Sequence, residues 1–266
     1  MPAAWNAILS PDAWPAFVFI TARLSGLFFV APLWSMTALP RAARAAILVL
    51  MAIVLLPTAP HVIMPEHALE LPVPLALEML LGLAIGLVAA LVIQGAALAG
   101  DLIALQMGLQ LGPALAPMPE FETSGVAQLH SLLATVVYVG VGGHLMLLRG
   151  LADSLHTLPP GAPLALAEGG RVVAGLTGSL FSSAVRVGGP VIVALLVTNV
   201  ALAILSRAVP QLNAMMVSFP LTIAVGLIMV GAALPIAAGT LDHWMRDLPL
   251  RVEAVTGAFQ TAVPGH

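Results

Sequence analysis

Long apolar stretches, separated by prolines, occupy most of this sequence. About 20 apolar residues in a helix cross the hydrocarbon core of a bilayer. Six stretches qualify, at about residues 13 to 35, 43 to 64, 75 to 111, 126 to 150, 171 to 207 and 213 to 244. A chain embedded in lipid must satisfy its backbone hydrogen bonds internally. The sequence therefore predicts an all-α, polytopic membrane protein built from long, kinked helical hairpins.

The composition agrees with a membrane protein and excludes several functions. Of 266 residues, 60% are hydrophobic and 8% are charged, whereas soluble domains are about 25% charged. The net charge is −3, so no basic surface exists for nucleic acid. The chain has no cysteine, and it lacks an HExxH motif, a nucleophile elbow and a P-loop. We predict that it is not an enzyme, binds no nucleic acid and holds no cofactor or metal.

Two of the stretches are too long for one simple span. Residues 75 to 111 would form about 55 Å of helix, against a hydrocarbon core of about 30 Å. The sequence RVGGP at residues 186 to 190 joins two glycines to a proline, a combination typical of a kink. We interpret residues 171 to 207 as two helices. The first is rich in glycine and hydroxyl side chains, so we expect it to pack against protein.

Ionisable side chains fall within or at the edges of the apolar stretches: Arg23, Glu78, Asp101, Arg186 and Arg207. A charge at the centre of a bilayer costs about 2.5 to 3.5 kcal/mol, so these groups must face protein or water. Two interpretations remain open, paired structural groups or a transport pathway. No two carboxylates are spaced as a proton relay, which favours the structural interpretation.

Gly82 and Gly86 form a GxxxG pair, a spacing that lets two membrane helices approach closely. The motif also arises by chance in a chain rich in glycine and alanine. A specific helix contact and a chance occurrence therefore both remain open.

The segment GLQLGPALAPMPEFETSG, residues 108 to 125, is apolar but cannot form a regular helix. Pro113, Pro117 and Pro119 interrupt the helical hydrogen bonds. Irregular backbone at membrane depth is tolerated only where protein buries it or where it lines a watery cavity. A plain interhelical loop would be more polar, because an apolar loop in water is costly. We therefore predict that this segment lines a cavity.

The segment LSRAVPQLNAMMVSFPLTIAVGL, residues 205 to 227, predicts a helical hairpin. Pro210 favours a turn, and Asn213 can cap the following helix. Arg207 lies near the end of the preceding helix, where its charge can offset exposed carbonyl groups.

These residues resemble the R-subunit (FliR-type) family of the bacterial flagellar type III protein export gate. That family has an Arg-x-x-Pro-Gln-Leu-Asn turn followed by a Phe-Pro pair, and this chain carries the corresponding residues Arg207, Pro210, Gln211, Asn213, Phe219 and Pro220. ARLSGLFFVAPLW at 22 to 34, AGDLIALQMGLQLG at 99 to 112 and GGHLMLLRGLADS at 142 to 154 extend the resemblance over nearly the whole chain. Ser218 and Thr222 depart from it, since the family often has glycine and lysine there.

The resemblance implies a structural, channel-forming subunit of a conduit for unfolded flagellar proteins. It implies one copy in a helical assembly with P-type and Q-type subunits, beside other export-gate and basal-body proteins. The location implied is the bacterial inner (cell) membrane within the flagellar basal body. Residues 1–186 would resemble a P-type subunit, residues 187–250 would form a Q-type hairpin, and residues 251–266 would be a tail.

In the resembled family, the loop that corresponds to about residues 106 to 125 plugs the channel. Carried onto this chain, the pore plug comprises Leu109, Leu111, Pro113, Leu115, Pro117, Met118 and Phe121. Methionine and leucine side chains can close on one another without fixed polar partners. The alternative is a stand-alone small-solute transporter, for which broken helices are also typical. It predicts repeat symmetry between the two halves, which the sequence does not display.

Overall fold

The regular structure of the described residues consists of helices. The computed structural model describes residues 13–35, 40–60, 62, 68–109, 124–208 and 214–260. Within these ranges the helices are α1 (Ala13–Val30), α2 (Arg41–Leu55), α3 (Pro72–Gln106), α4 (Gly125–Gly140), α5 (Gly143–Thr157), α6 (Leu166–Ala208), α7 (Ala214–Arg246) and α8 (Leu248–Ala258). Short 3-10 turns lie at Leu56–Thr58 and Ala68–Glu70. The predicted all-α class is confirmed.

Several of these helices are suited to a bilayer by length and composition. In the part of the chain that the structure describes, five are long and apolar enough to cross a membrane: α1, α2 with its following turn, α3, α6 and α7. A sixth span results if α4 and α5 are counted as one broken crossing. The polytopic prediction therefore holds.

Two helices end earlier than the apolar pattern predicted. α1 ends at Val30 and α2 at Leu55, each two residues before a proline, at Pro32 and Pro57. After α2 the chain continues as the 3-10 turn Leu56–Thr58, in which Leu56 keeps helical backbone angles (φ −53°, ψ −41°). After α1, Leu33 has a φ of 76°, which ends the helical path although the apolar sequence continues.

The predicted span at residues 126 to 150 is not one continuous helix. α4 ends at Gly140, and α5 begins at Gly143. Gly142 between them has a φ of 78°, a left-handed conformation that glycine adopts without steric penalty. The sequence Gly140-Val141-Gly142-Gly143 therefore interrupts the helix inside an apolar stretch.

The predicted break at residues 186 to 190 is wrong. α6 runs through it as one helix of 43 residues with Pro190 inside. Proline removes a single backbone donor, and a membrane helix tolerates that loss where its surroundings compensate. Packing supports the helix here, since a Cβ atom on Gly188 would lie 3.4 Å from the Ala99 carbonyl oxygen. α3 is likewise continuous, with 35 residues, or about 52 Å.

Contacts divide the chain into two compact units, each assembled from separated segments. The first unit comprises Met1–Leu91, Val141–Thr177 and Arg246–His266, and the second comprises Val92–Gly140 and Gly178–Met245. The division of the sequence at residues 186 and 250 stays a prediction. Part of the predicted tail is helical and packed, because α8 buries Val252 and Val255.

Glycines allow α1 and α3 to cross very closely in the first unit. A Cβ atom on Gly82 would lie 1.8 Å from the Arg23 carbonyl oxygen, and one on Gly26 would lie 1.9 Å from the Met79 carbonyl oxygen. Gly86 continues the contact, with its Cβ position 3.0 Å from the Leu27 carbonyl oxygen. The GxxxG pair is therefore a specific helix contact in this structure.

Replacing Gly82 with alanine should destabilise this crossing, because the obstructing atom belongs to the backbone and cannot rotate away. Overpacking costs about 1 to 3 kcal/mol, and we expect the melting temperature in detergent to fall by about 5 °C or more. Gly170→Ala is the matched control, since a Cβ atom there meets nothing within 4 Å. Equal melting temperatures for the two variants would contradict the close crossing.

Candidate functional site

The buried polar centre of the first unit is an ion pair between α1 and α3. Arg23 is completely buried, and Glu78 is 4% exposed. The Arg23 Nε donates to the Glu78 Oε2 at 2.5 Å. Its Nη1 donates to the backbone oxygen and the Oγ of Ser154, both at 2.9 Å, and its Nη2 donates to the Leu158 carbonyl oxygen at 2.9 Å. One guanidinium thus connects α1, α3 and the end of α5.

The second carboxylate oxygen of Glu78 also has a partner. Its Oε1 accepts a hydrogen bond from the backbone N–H of Gly161 at 2.9 Å. Gly161 lies in the turn after α5 and has a φ of 83°, which glycine adopts readily. We call Arg23, Glu78, Ser154, Leu158 and Gly161 the Arg23–Glu78 cluster.

The cluster has the properties of a structural ion pair. A buried charge is tolerated when it is paired and hydrogen-bonded, and here both carboxylate oxygens and most guanidinium donors are engaged. Arg23 also neutralises carbonyl groups at the C-terminal end of α5, where the helix dipole favours a cation. The geometry thus favours the structural interpretation of these two residues over the transport pathway.

In the second unit, Asp101 holds the start of α4. The Ser124 hydroxyl donates to the Asp101 Oδ1 at 3.0 Å and accepts from the backbone N–H of Ala127 at 3.1 Å, so Ser124 caps the helix. α3 and α4 touch at the same level: a Cβ atom on Gly100 would lie 2.4 Å from the Ala127 Cα.

Met107 marks the other end of the interrupted segment, just after α3. It is buried in an apolar cluster formed by Ile103, Ala104, Met107, Val126, Val191, Leu195, Val230 and Ala233. A Cβ atom on Gly226 of α7 would lie 2.7 Å from the Met107 Cγ and Sδ. Thr222 places its hydroxyl 3.5 Å from the Met107 carbonyl oxygen.

Asn199 of α6 makes a similar long contact, with its Nδ2 3.5 Å from the Gln106 carbonyl oxygen. Both arms of the predicted hairpin therefore contact the end of α3. We call the contacts around Met107 and Ser124 the two anchors of the segment between them.

The structure locates only some of the predicted plug and hairpin residues. Leu109 is described and is 39% exposed. The other plug residues lie outside the described residues: Leu111, Pro113, Leu115, Pro117, Met118 and Phe121. The same holds for the turn residues Pro210, Gln211 and Asn213, so their roles stay predictions.

The remaining predicted residues lie on α6 and α7. Arg186 and Arg207 are exposed on α6, and neither joins an ion pair within the part of the chain that the structure describes. Phe219 is half-buried and Pro220 is exposed within α7. Thr222 is buried, and its hydroxyl donates to the Ser218 carbonyl oxygen at 2.9 Å.

The sequence did not predict the residues that bind Arg23 and Glu78, nor the residue that packs against Met107. Ser154 and Leu158 bind Arg23 mainly through backbone and hydroxyl oxygens, which leave no pattern in the sequence. Gly161 had a weak signal, because it follows two prolines in a turn sequence. Gly226 had none beyond being a glycine in an apolar helix.

Long apolar helices around a buried, fully paired charge define an integral membrane protein of the all-α class. The chain matches the family model described as bacterial export proteins, family 1, over residues 14–248. Flagellar biosynthetic protein FliR of Escherichia coli (strain K12) is 28% identical over 254 residues, covering 92% of each chain. FliR of Pectobacterium carotovorum is 30% identical over 247 residues, covering 92% of this chain and 93% of that protein. FliR of Bacillus subtilis (strain 168) is 29% identical over 233 residues, covering 85% and 87%.

The chain therefore belongs to the FliR family of bacterial export proteins, a membrane family of flagellar biosynthesis. The resemblance inferred from the sequence motifs is confirmed. Membership of an export family argues against the alternative of a stand-alone small-solute transporter.

Breaking the Arg23–Glu78 pair from one side should be strongly destabilising. We expect Arg23→Met or Glu78→Met to lower the free energy of unfolding by about 3 to 5 kcal/mol, because a buried charge loses its partner. The double variant should lose less than the sum of the single losses. It should remain below the unsubstituted protein, because Leu158 and Gly161 still lose hydrogen bonds.

Thermal unfolding in detergent measures these differences. Arg171→Gln is the matched control, because Arg171 and Glu168 form an ion pair at 2.5 Å that is exposed and should contribute little. If Glu78→Gln changed proton flux across vesicles and left the melting temperature unaltered, the transport interpretation would replace the structural one.

Proposed function

We propose that this protein is a structural, channel-forming subunit of the flagellar type III export gate, located in the bacterial inner membrane within the flagellar basal body. Unfolded flagellar proteins would pass through the conduit that it helps to form. Family membership and the candidate spans support a membrane component of flagellar export. The finer role is supported chiefly by one observation, that both ends of a proline-broken apolar segment are anchored to the helices of the second unit.

The partners that we propose are P-type and Q-type gate subunits, with other export-gate and basal-body proteins around them. The exposed apolar surface supports such partners, since only 22% of the span in α6 and 28% of the span in α7 are buried within the chain. Gly175, Thr177 and Gly178 are exposed on α6, and small or hydroxyl side chains suit close contact with another helix better than contact with lipid.

We also propose, from the family resemblance, an N-terminal part, residues 1–186, that resembles a P-type subunit, and a C-terminal hairpin, residues 187–250, that resembles a Q-type subunit. In that arrangement the hairpin arms would carry Phe219 and Pro220 at a subunit contact. The turn at residues 207 to 213 would set the angle between the arms.

The proposed plug is the segment between the two anchors, together with Leu109. Its apolar residues would exclude water and ions at rest, and a substrate chain would displace them. Asp101 with Ser124 holds one end, and Met107 with Gly226 and Thr222 holds the other. Anchored ends supply what a seal requires, because an apolar segment closes a passage only if its position is fixed when the passage is empty.

Deleting residues 109 to 121 tests the plug. We expect the deletion to increase ion leakage across the inner membrane, measured as dissipation of the membrane potential in cells that express the gate. Replacing the same residues with a glycine and serine segment of equal length should leak as well, if apolar closure and not length is what matters. Co-purification of tagged protein with its partners verifies that the gate assembles, and unchanged leakage in an assembled gate contradicts the plug.

Displacing Met107 should weaken the same seal. Gly226→Leu forces the Met107 side chain to move, so we expect leakage above that of the unsubstituted protein and below that of the deletion. A smaller side chain in Met107→Ala, combined with Gly226→Leu, should restore part of the seal. The control is Gly231→Leu on the same helix, where a Cβ atom meets nothing within 4 Å. Identical leakage for Gly226→Leu and this control would show that the anchor has no role.

A further inference from the structure

A groove with a cavity of about 250 Å³ lies between α1 and α2 in the first unit. α1 contributes Ser25, Phe28 and Phe29, and α2 contributes Arg41, Arg44 and Leu48. Arginine side chains thus line one wall and aromatic rings the other. The groove shares no residue with the Arg23–Glu78 cluster or the two anchors.

Positive charge concentrates at this groove. Arg41 and Arg44 lie in the first turn of α2, which contains no acidic residue, and Pro40 at the N-cap provides no side-chain hydrogen bond. The first turn of a helix is itself electropositive, because its N–H groups lack intrahelical acceptors. Arg41 makes no ion pair within the part of the chain that the structure describes. The complementary occupant is therefore an anion.

The position of the groove along α2 specifies what kind of anion. Arg41–Thr58 is a candidate span with a mean hydropathy of 1.8, and only 6% of it is buried within the chain. Its first turn is one end of this candidate span, and at the ends of membrane helices arginine side chains meet lipid headgroups. Beyond the charges, the exposed Val49, Leu50 and Val54 face outward. They present an apolar surface of the kind that acyl chains cover.

The α1 wall of the groove offers an aromatic surface and one hydroxyl group to a ligand. Phe29 is 70% exposed, and Phe28 stacks on Trp34 with ring centroids 4.6 Å apart. A ligand at this position therefore meets arginine at one end and a fixed apolar wall beside it. The Ser25 hydroxyl donates to the Ala22 carbonyl oxygen at 2.7 Å, so towards the groove it can only accept a hydrogen bond. A hydroxyl group on the ligand would satisfy it.

We propose that this groove binds one anionic phospholipid. The guanidinium of Arg41 holds its phosphate, since arginine can donate two parallel hydrogen bonds to phosphate oxygens, and the charge of Arg44 beside it adds to the attraction. An acyl chain lies along Phe28, Phe29 and Leu48. A glycerol headgroup fits best, because its hydroxyl donates to Ser25. Basic pockets beside membrane helices are a recognised mode of binding anionic lipid.

The test is a titration of the purified full-length protein, with its co-purifying subunits, by fluorescent phosphatidylglycerol in detergent. We expect saturable binding that the double variant Arg41→Gln/Arg44→Gln weakens by roughly 10-fold to 30-fold, on the scale of two basic residues near an anionic lipid. Arg171→Gln, which removes an exposed arginine elsewhere, should bind like the unsubstituted protein. The single variant Arg41→Gln, at an exposed position, should weaken binding by a smaller factor.

Further measurements distinguish an anionic lipid from free phosphate and from a partner protein. Phosphatidylcholine and inorganic phosphate should bind much more weakly than phosphatidylglycerol. Melting temperatures in phosphatidylcholine verify that the arginine variants are folded. Equal binding by the double variant, or an equal effect of inorganic phosphate, overturns the proposal. Loss of co-purifying subunits with unchanged lipid binding also overturns it, because the two arginines would then bind a carboxylate of a partner protein.

Discussion

The first unit depends on one buried guanidinium. Arg23 cannot face hydrocarbon without a large penalty, so it must find its acceptors inside the protein. Four acceptor atoms from α3 and the end of α5 satisfy it, and Glu78 extends the network to the turn at Gly161. The glycines at positions 26 and 82 bring the two helix backbones together beside it. The ion pair and the close packing thus hold α1 against α3, and the hydrogen bonds of Arg23 add the end of α5 to them.

The second unit follows a different physical logic. Its centre is apolar, around Met107 and Val126. Two polar contacts lie where the chain leaves α3 and enters α4: Thr222 lies beside the Met107 carbonyl oxygen, and Asp101 accepts a hydrogen bond from Ser124. These polar groups lie at helix ends, where backbone donors and acceptors need partners. The packed apolar side chains hold the helices together. Because α7 packs against Met107, a movement of α7 relative to α3 would displace Met107, which lies just before the proposed plug.

The sequence predicted the helical class and most spans, because apolar length is a direct consequence of the bilayer. It also marked Arg23, Glu78 and Asp101 as groups that must face protein or water, yet it could not identify their partners. Backbone carbonyls such as that of Leu158 carry no residue-type signal, and Ser124 is an ordinary loop serine until the fold brings it to Asp101. The errors at Gly142 and Pro190 have one origin. Glycine and proline both permit a break, and whether the helix breaks depends on packing such as that of Gly188 against Ala99.

The exposed surface is of two kinds, and composition separates them. α2 presents almost nothing but aliphatic side chains beyond its first turn, with arginines confined to its start, which is the pattern of a helix that meets lipid. The first half of α6 instead presents glycine, threonine and serine, and these side chains gain little from lipid but allow another helix to approach closely. A chain that met lipid on every side would not need both surfaces. The two surfaces differ in composition, so the two proposals, an anionic lipid at α2 and gate subunits along α6, are mutually compatible.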